Sequence, residues 1–190
     1  MEPFVIKREE TGWIEVVCGS MFSGKTEELI RRMRRAEIAK QRVEIFKPAF
    51  DVRYAEAEVV SHNRTSIPSV VVQHSSEILQ NAGIAQVIGI DEAHFFDTDL
   101  PRVCQELARK GRRVIIAGLD QDYRAQPFEQ MAQLMAIAEY VTKLHAICVV
   151  CGAPANNSQR IVASDERLLL GEKDAYEPRC RHCFEWPNES

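Results

Sequence analysis

No apolar run along this chain approaches the roughly 18–20 residues that a transmembrane helix needs, so no membrane span or membrane partner is expected. An excess of basic charge is missing as well: 24 Lys and Arg stand against 28 Asp and Glu, a formal net charge of −4. A protein that tracks a nucleic-acid phosphate backbone carries the opposite balance, so no nucleic-acid partner is expected either. The first ten residues lack an apolar stretch and carry acids early, and no secretory leader is expected there. Internal repeats and low-complexity segments do not occur. With 45% apolar and 27% charged residues, disordered and fibrous classes drop out. What remains is the expectation of a soluble, cytoplasmic chain whose 190 residues can bury one core and carry a small appendage.

Apolar segments predict strands at 13–18, 43–47, 70–72, 87–91, 113–118 and 140–144. Helix formers predict helices over 25–40, from Ser75 or Ser76, over 100–110 with Gly111 at the end, and over 127–137 with Pro127 at the start. The polar stretch 51–66 shows no period and predicts a loop. Strands alternating with helices imply an α/β fold, a mostly parallel sheet with helices on both faces. Composition shifts near Ala146, which divides the chain into 1–145 and 146–190.

Six cysteines are present, and four form two C-x-x-C pairs, Cys148 with Cys151 and Cys180 with Cys183, with 28 residues between the pairs. Two such pairs brought together offer the four thiolates of a closed structural zinc site. The alternatives are disulfides, which a chain without a leader disfavours, and a redox pair, which lacks the βαβ context. Cys18 and Cys104 sit in apolar stretches and read as buried thiols.

Gly19-Ser20-Met21-Phe22-Ser23-Gly24-Lys25-Thr26 matches G-x-x-x-x-G-K-[ST], with an apolar strand before it and a helix after it. Glycines let successive N–H groups curl toward phosphate oxygens, and the helix start adds its positive end to the same anion. Lys25 would reach the β- and γ-phosphates of a nucleoside triphosphate, and the Thr26 hydroxyl would ligate Mg²⁺. A chance glycine turn is the plain alternative, which the strand–loop–helix context disfavours. Asp91, closing an apolar strand, is the expected acid on the Mg²⁺ side. Glu92 follows at the mouth of the sheet, where one carboxylate can serve a metal and the other a substrate proton. A solvated loop acid is the bland reading of Glu92.

Asp91-Glu92-Ala93-His94 alone spells the box of DEAH helicases. Such motors need two tandem cores, for which 190 residues are too few, and a basic groove, which the charge balance denies. The arginines from Arg31 to Arg35 surround one helix and read as a solvated face or a subunit contact. Taken in order, the motifs point elsewhere. The phosphate loop with Met21-Phe22-Ser23, Lys47-Pro48, Asp51-Val52-Arg53-Tyr54, Ile90-Asp91-Glu92 with Phe95-Phe96, Leu119-Asp120, Pro127-Phe128 and the cysteine pairs around Asp174-Ala175-Tyr176 resemble the zinc-containing (type II) thymidine kinase family. The resemblance spans about 15–183 and implies a RecA-like P-loop NTPase core with a small zinc-ribbon and lasso unit.

It implies an enzyme that transfers the γ-phosphoryl group of ATP to thymidine, with deoxyuridine left open, giving dTMP for DNA precursor salvage. Glu92 would be the general base on the 5′-hydroxyl. Asp51, Arg53, Ala93 and His94 join the phosphate loop, Asp91 and Glu92 on the nucleotide side, with a plain loop arginine as the alternative for Arg53. Met21, Phe95, Leu119, Tyr123 and Phe128 match the walls around the base, though any one of them could be core. Arg167, Leu168, Leu169, Leu170 and Gly171 match a lasso-like lid that reads the base through its backbone, with Ser158 and Tyr176 as side-chain contributors. His94 stands where the family usually has glutamine, which would alter nucleotide contacts or bring a titrating group near the γ-phosphate. Tyr123 stands where phenylalanine is also common. A homotetramer and feedback inhibition by dTTP complete what the resemblance implies. A nucleotide-binding zinc module without activity is the alternative from another class.

Overall fold

In the computed structural model, the described residues are 11–49, 58–60, 66–163 and 175–186. The chain lays down β1 (Trp13–Gly19), α1 (Lys25–Ile38), β2 (Val43–Pro48), β3 (Glu58–Val60), β4 (Ser66–Pro68), β5 (Val70–Val72), α2 (Ser76–Asn81) and β6 (Val87–Ile90). It continues with a 3₁₀ turn (Ala93–Phe95), α3 (Leu100–Arg109), β7 (Arg113–Gly118), α4 (Glu129–Ile137) and β8 (Tyr140–Leu144). The last strands are β9 (Ala146–Ile147), β10 (Pro154–Ala155), β11 (Asn157–Arg160) and β12 (Tyr176–Arg179).

Six strands form one sheet in the order β5-β2-β6-β7-β1-β8, and every pairing in it is parallel. Parallel strands need crossovers, which the helices supply, and both faces must then be covered. Two core clusters show the covering. Ile14, Val16 and Cys18 of β1 with Val114 and Ile116 of β7 face the side packed by α2, α3 and α4 through Ile78, Leu100, Val103, Leu107, Met131 and Leu134. Val17, Ile45, Val87, Ile115 and Ala117 face the other side, packed by Leu29, Ile30, Met33 and Ala36 of α1. The period of two along each central strand sorts its residues between these clusters. Gly89 belongs at the closest approach of α1: a Cβ there would meet Met33 Sδ and Ile45 Cγ1, each at 3.1 Å.

Glu15 is the charged exception on the α1 side, 6% exposed. Arg32 and Arg113 bond both of its oxygens, at 2.6–3.2 Å, and the Trp13 indole N–H adds a third donor at 2.7 Å. A buried carboxylate so surrounded keeps its charge, and its pKa lies below the usual value although burial alone would raise it.

Three expectations need correction. Part of 51–66 is not loop, because β3 and β4 pair antiparallel with Val59 opposite Ile67, whose side chain is buried with the α1 cluster. Three-residue strands are too short to show a period, so only the pairing reveals them. The second strand does not end at 47; Pro48 is its last paired residue, opposite Val72. Pro127 does not open α4: it bridges back to Gln121, and Phe128 N–H donates to Asp120 O at 3.1 Å before the helix starts at Glu129. No helix among the described residues is long and apolar enough to cross a membrane.

Past β8 the chain builds two small hairpins, β9 with β10 and β11 with β12, both antiparallel. Cys148 and Cys151 sit at the turn of the first, and Cys180 and Cys183 follow the second.

Candidate functional site

The phosphate loop leaves the carboxyl end of β1, between β7 and the edge strand β8. Gly19 has φ 143°, and a Cβ there would lie 2.3 Å from Leu144 O, so only glycine fits between the loop and β8. Gly24 (φ 84°) turns the chain into α1. Phe22 also takes a left-handed backbone, φ 64°, which a bulky residue adopts only when its surroundings hold it. The hold is visible: Phe22 packs against Ala146, Cys148, Ala155 and Cys180. Its side chain therefore serves the junction with the cysteine hairpins, and only its backbone is left to the phosphate loop.

Two further bonds tie the loop to that region. Ser20 Oγ donates to Ala155 O at 3.2 Å, and Met21 N–H donates to Ser158 Oγ at 3.0 Å. Ser158, expected against the nucleoside, accepts this bond from the loop. Inside the loop, Lys25 Nζ and Ser23 Oγ both donate to Ser20 O at 2.8 Å. Burial pushes the Lys25 pKa down, against the pull of the Glu92, Asp91 and Asp120 carboxylates. A partly buried ammonium at the first turn of α1 is a receptor for an anion.

Thr26 Oγ1 lies 3.4 Å from both oxygens of Asp91. A hydroxyl facing a carboxylate is an oxygen set that suits a hard divalent cation such as Mg²⁺. Asp91 follows β6, its N–H on Phe46 O at 2.9 Å, and burial pushes its pKa up from the ordinary carboxylate range. Glu92, its neighbour, lives in the opposite environment: its side chain is 49% exposed. Its backbone is left-handed (φ 50°), which turns the carboxylate out of the sheet line and starts the 3₁₀ turn. Adjacent acids so divided can take different roles, one beside a cation and one beside a substrate proton.

The turn itself is anchored inward. Ala93 is in the core, its Cβ 3.3 Å from where a Cβ on Gly118 would stand. His94 is buried, its ring centroid 4.1 Å from that of Phe95 and 5.1 Å from that of Phe128. Leu119 N–H donates to His94 Nδ1 at 3.1 Å, and Nε2 lies 3.5 Å from Glu92 Oε2. Burial, with the Lys25 charge adding, pushes the His94 pKa down to about 3. The ring is therefore neutral near pH 7, which corrects the expectation of a titrating imidazole at this place.

Among the expected wall residues, Phe128 is core, while Met21, Phe95 and Leu119 are only partly covered. Tyr123 and Tyr176 meet at Arg160, whose guanidinium stands 3.6 Å from the Tyr123 ring centre and donates to the Tyr176 hydroxyl at 2.7 Å. Asp51 and Arg53 lie outside the described residues, as do Arg167, Leu168, Leu169, Leu170 and Gly171.

Several partners escaped the sequence. Arg160 carries no motif of its own. Gln130 Nε2 donates to His94 O at 2.6 Å and Phe96 O at 3.0 Å, fastening the turn to α4. Asp120 is buried with Lys143 Nζ 2.7 Å from its carboxylate. Its place after a strand end, in Leu119-Asp120, was the one available signal.

The four thiols of Cys148, Cys151, Cys180 and Cys183 all lie within 4.8 Å of one another, with Cys151 and Cys180 sulfurs 3.5 Å apart. Tetrahedral zinc–thiolate bonds put sulfurs about 3.8 Å apart, so the donors fit that ion. Cys18 and Cys104 are buried, as expected.

Comparison with known proteins gives one consistent result. The family model described as thymidine kinase matches residues 12–184. A thymidine kinase of Rhodothermus sp. (strain ITI 518) is 61% identical over 98% of this chain and 88% of its own length. Thymidine kinases of Bacteroides thetaiotaomicron and Bacteroides fragilis are 56% and 55% identical, over 96% and 97% of this chain and 92% of theirs.

Proposed function

The chain belongs to the thymidine kinase family, and on that premise we propose that it transfers the γ-phosphoryl group of ATP to the 5′-hydroxyl of thymidine. One observation carries the chemistry: Lys25, Thr26, Asp91 and Glu92 converge at the mouth of a parallel sheet, in the order anion receptor, cation ligands and open carboxylate. The loop amides and Lys25 hold the triphosphate and offset the charge that spreads over the transferring group. Thr26 and Asp91 would hold Mg²⁺, which when bound neutralises charge on the β- and γ-phosphates.

Glu92 takes the proton of the 5′-hydroxyl. The freed oxygen lone pair forms the new P–O bond in line, the bond from the γ-phosphorus to the bridging oxygen breaks, and that oxygen leaves with ADP. The products are dTMP and ADP. Met21, Phe95, Leu119 and Tyr123 are the proposed walls for the base, with residues 167–171 as the lid over it. Asp51, Arg53 and Tyr176 are assigned to the same site.

Zinc at the four cysteines is the proposed staple of a C-terminal unit, 146–190, against a nucleotide-binding unit, 1–145. It would fix both ends of the 28-residue excursion that carries the lid, lowering the entropy cost of ordering it. Family membership extends the proposal to a cytoplasmic homotetramer inhibited by dTTP.

The test is ADP release with MgATP against thymidine, deoxyuridine, deoxycytidine, deoxyadenosine, uridine and single-stranded DNA. Turnover with thymidine and little with deoxycytidine or deoxyadenosine supports the proposal. Hydrolysis stimulated by single-stranded DNA alone sinks it.

A further inference from the structure

The left-handed turn at Glu92 sets the direction of its carboxylate, but a side chain that is 49% exposed still swings about its own torsions. One neighbour can restrain it from below. The His94 ring is closed in by Phe95, Phe128 and the core, so it has no freedom to follow a moving partner. Gln130 ties down the His94 carbonyl from α4, fixing the backbone that carries the ring.

The hydrogen positions follow from the partners. A backbone N–H can only donate, so Leu119 N–H at 3.1 Å makes Nδ1 an acceptor. A neutral imidazole has one acceptor and one donor, which leaves the proton on Nε2. That proton faces Glu92 Oε2 across 3.5 Å, the outer edge of hydrogen-bond reach and a separation that catalytic contacts commonly shorten once substrate is bound.

We infer that His94 is a positioning residue for the base: its ring, held in the Nε2–H tautomer by the Leu119 amide, steers the Glu92 carboxylate toward the nucleoside hydroxyl. This rests on Glu92 acting as the base proposed above. The acceptor–donor pair is also what a glutamine amide offers, its carbonyl oxygen toward Leu119 N–H and its N–H₂ toward Glu92. Leucine at 94 fills the space and offers neither.

Five proteins and two readouts decide it. Steady-state kinetics are measured for the full chain and for His94→Leu, His94→Gln and Glu92→Gln, the last also combined with His94→Leu. A misdirected base costs rate and not binding, so His94→Leu is expected to lower kcat roughly 10- to 100-fold while the KM values for thymidine and ATP move less than about twofold. His94→Gln recovers most of that loss, and adding His94→Leu to Glu92→Gln slows it no further. Wild-type kcat in His94→Leu, a loss that sits in KM, or an additive double variant overturns the inference. Turnover of Glu92→Gln at the wild-type rate removes the base itself, a different result from losing only the steering. Nitrogen NMR on histidine-labelled wild-type protein supplies the second readout: His94 should show a bare Nδ1 and a protonated Nε2. The opposite tautomer overturns the inference whether or not His94→Leu folds.

Discussion

Met21 and Ser158 stand 137 residues apart in sequence, and the backbone N–H of one donates to the hydroxyl of the other at 3.0 Å. Together with Ser20 on Ala155 and Phe22 on the cysteine cluster, this bond clips the phosphate loop to the hairpins that follow the sheet. The loop geometry is thus supported from outside the motif that encodes it.

Replacing Ser158 by alanine leaves the Met21 N–H without its acceptor, a change worth about 1 kcal/mol for a partly buried donor. The KM for ATP is expected to rise several-fold, with a matching drop in the urea midpoint. A rise confined to the KM for thymidine would instead make Ser158 a nucleoside contact.

Metal removal should reach the same loop. Purified protein is expected to hold about one zinc per chain by elemental analysis, and Cys180→Ser to lose it. The melting temperature should fall by roughly 5–10 °C, with weaker nucleotide binding. Full ATP affinity in a zinc-free protein would show that the clip does not depend on the metal.

Asp91→Asn keeps the shape beside Thr26 and removes the charge. Its rate should need about 10- to 100-fold more Mg²⁺ for half-saturation, read from a magnesium titration at fixed ATP. An unchanged titration would place the cation elsewhere.

Acid should weaken one pair of contacts on α1. Hydrogen bonds from Arg31 and Arg32 hold the Glu28 carboxyl at about 2, well below the ordinary carboxylate range. A depressed folded-state pKa means the stabilisation is complete above the unfolded value of about 4.3 and is lost as pH falls toward 2. Arg31 is 59% exposed, so solvent screening limits the effect to about 1 kcal/mol. Urea unfolding of wild type and Glu28→Gln should differ at pH 7, with the gap narrowing below about pH 4 and closing only near pH 2. A constant difference across that range would exclude Glu28 ionisation as its source.

Much of the fold was legible because its signals are local. Four-residue apolar runs such as Val87–Ile90 can be buried on both faces only in a parallel sheet, and the phosphate loop keeps its chemistry within eight consecutive residues. The cysteine pairs likewise announce their donor set by spacing. The β3–β4 pairing and the start of α4 were not legible, since each depends on a partner strand or a distant carbonyl rather than on periodicity.

The sequence by itself determined which chemical groups are available and which of them lie next to each other along the chain: loop amides, Lys25, Thr26, the Asp91-Glu92 pair and four thiols. Only the tertiary structure decided their environments. It buried Asp91 and left Glu92 half open, turned His94 inward as a neutral ring on Leu119, set Arg160 between Tyr123 and Tyr176, and matched Asp120 with Lys143. Desolvation and hydrogen-bond direction arise from atoms that meet in space, and those meetings join residues tens of positions apart that no local pattern connects.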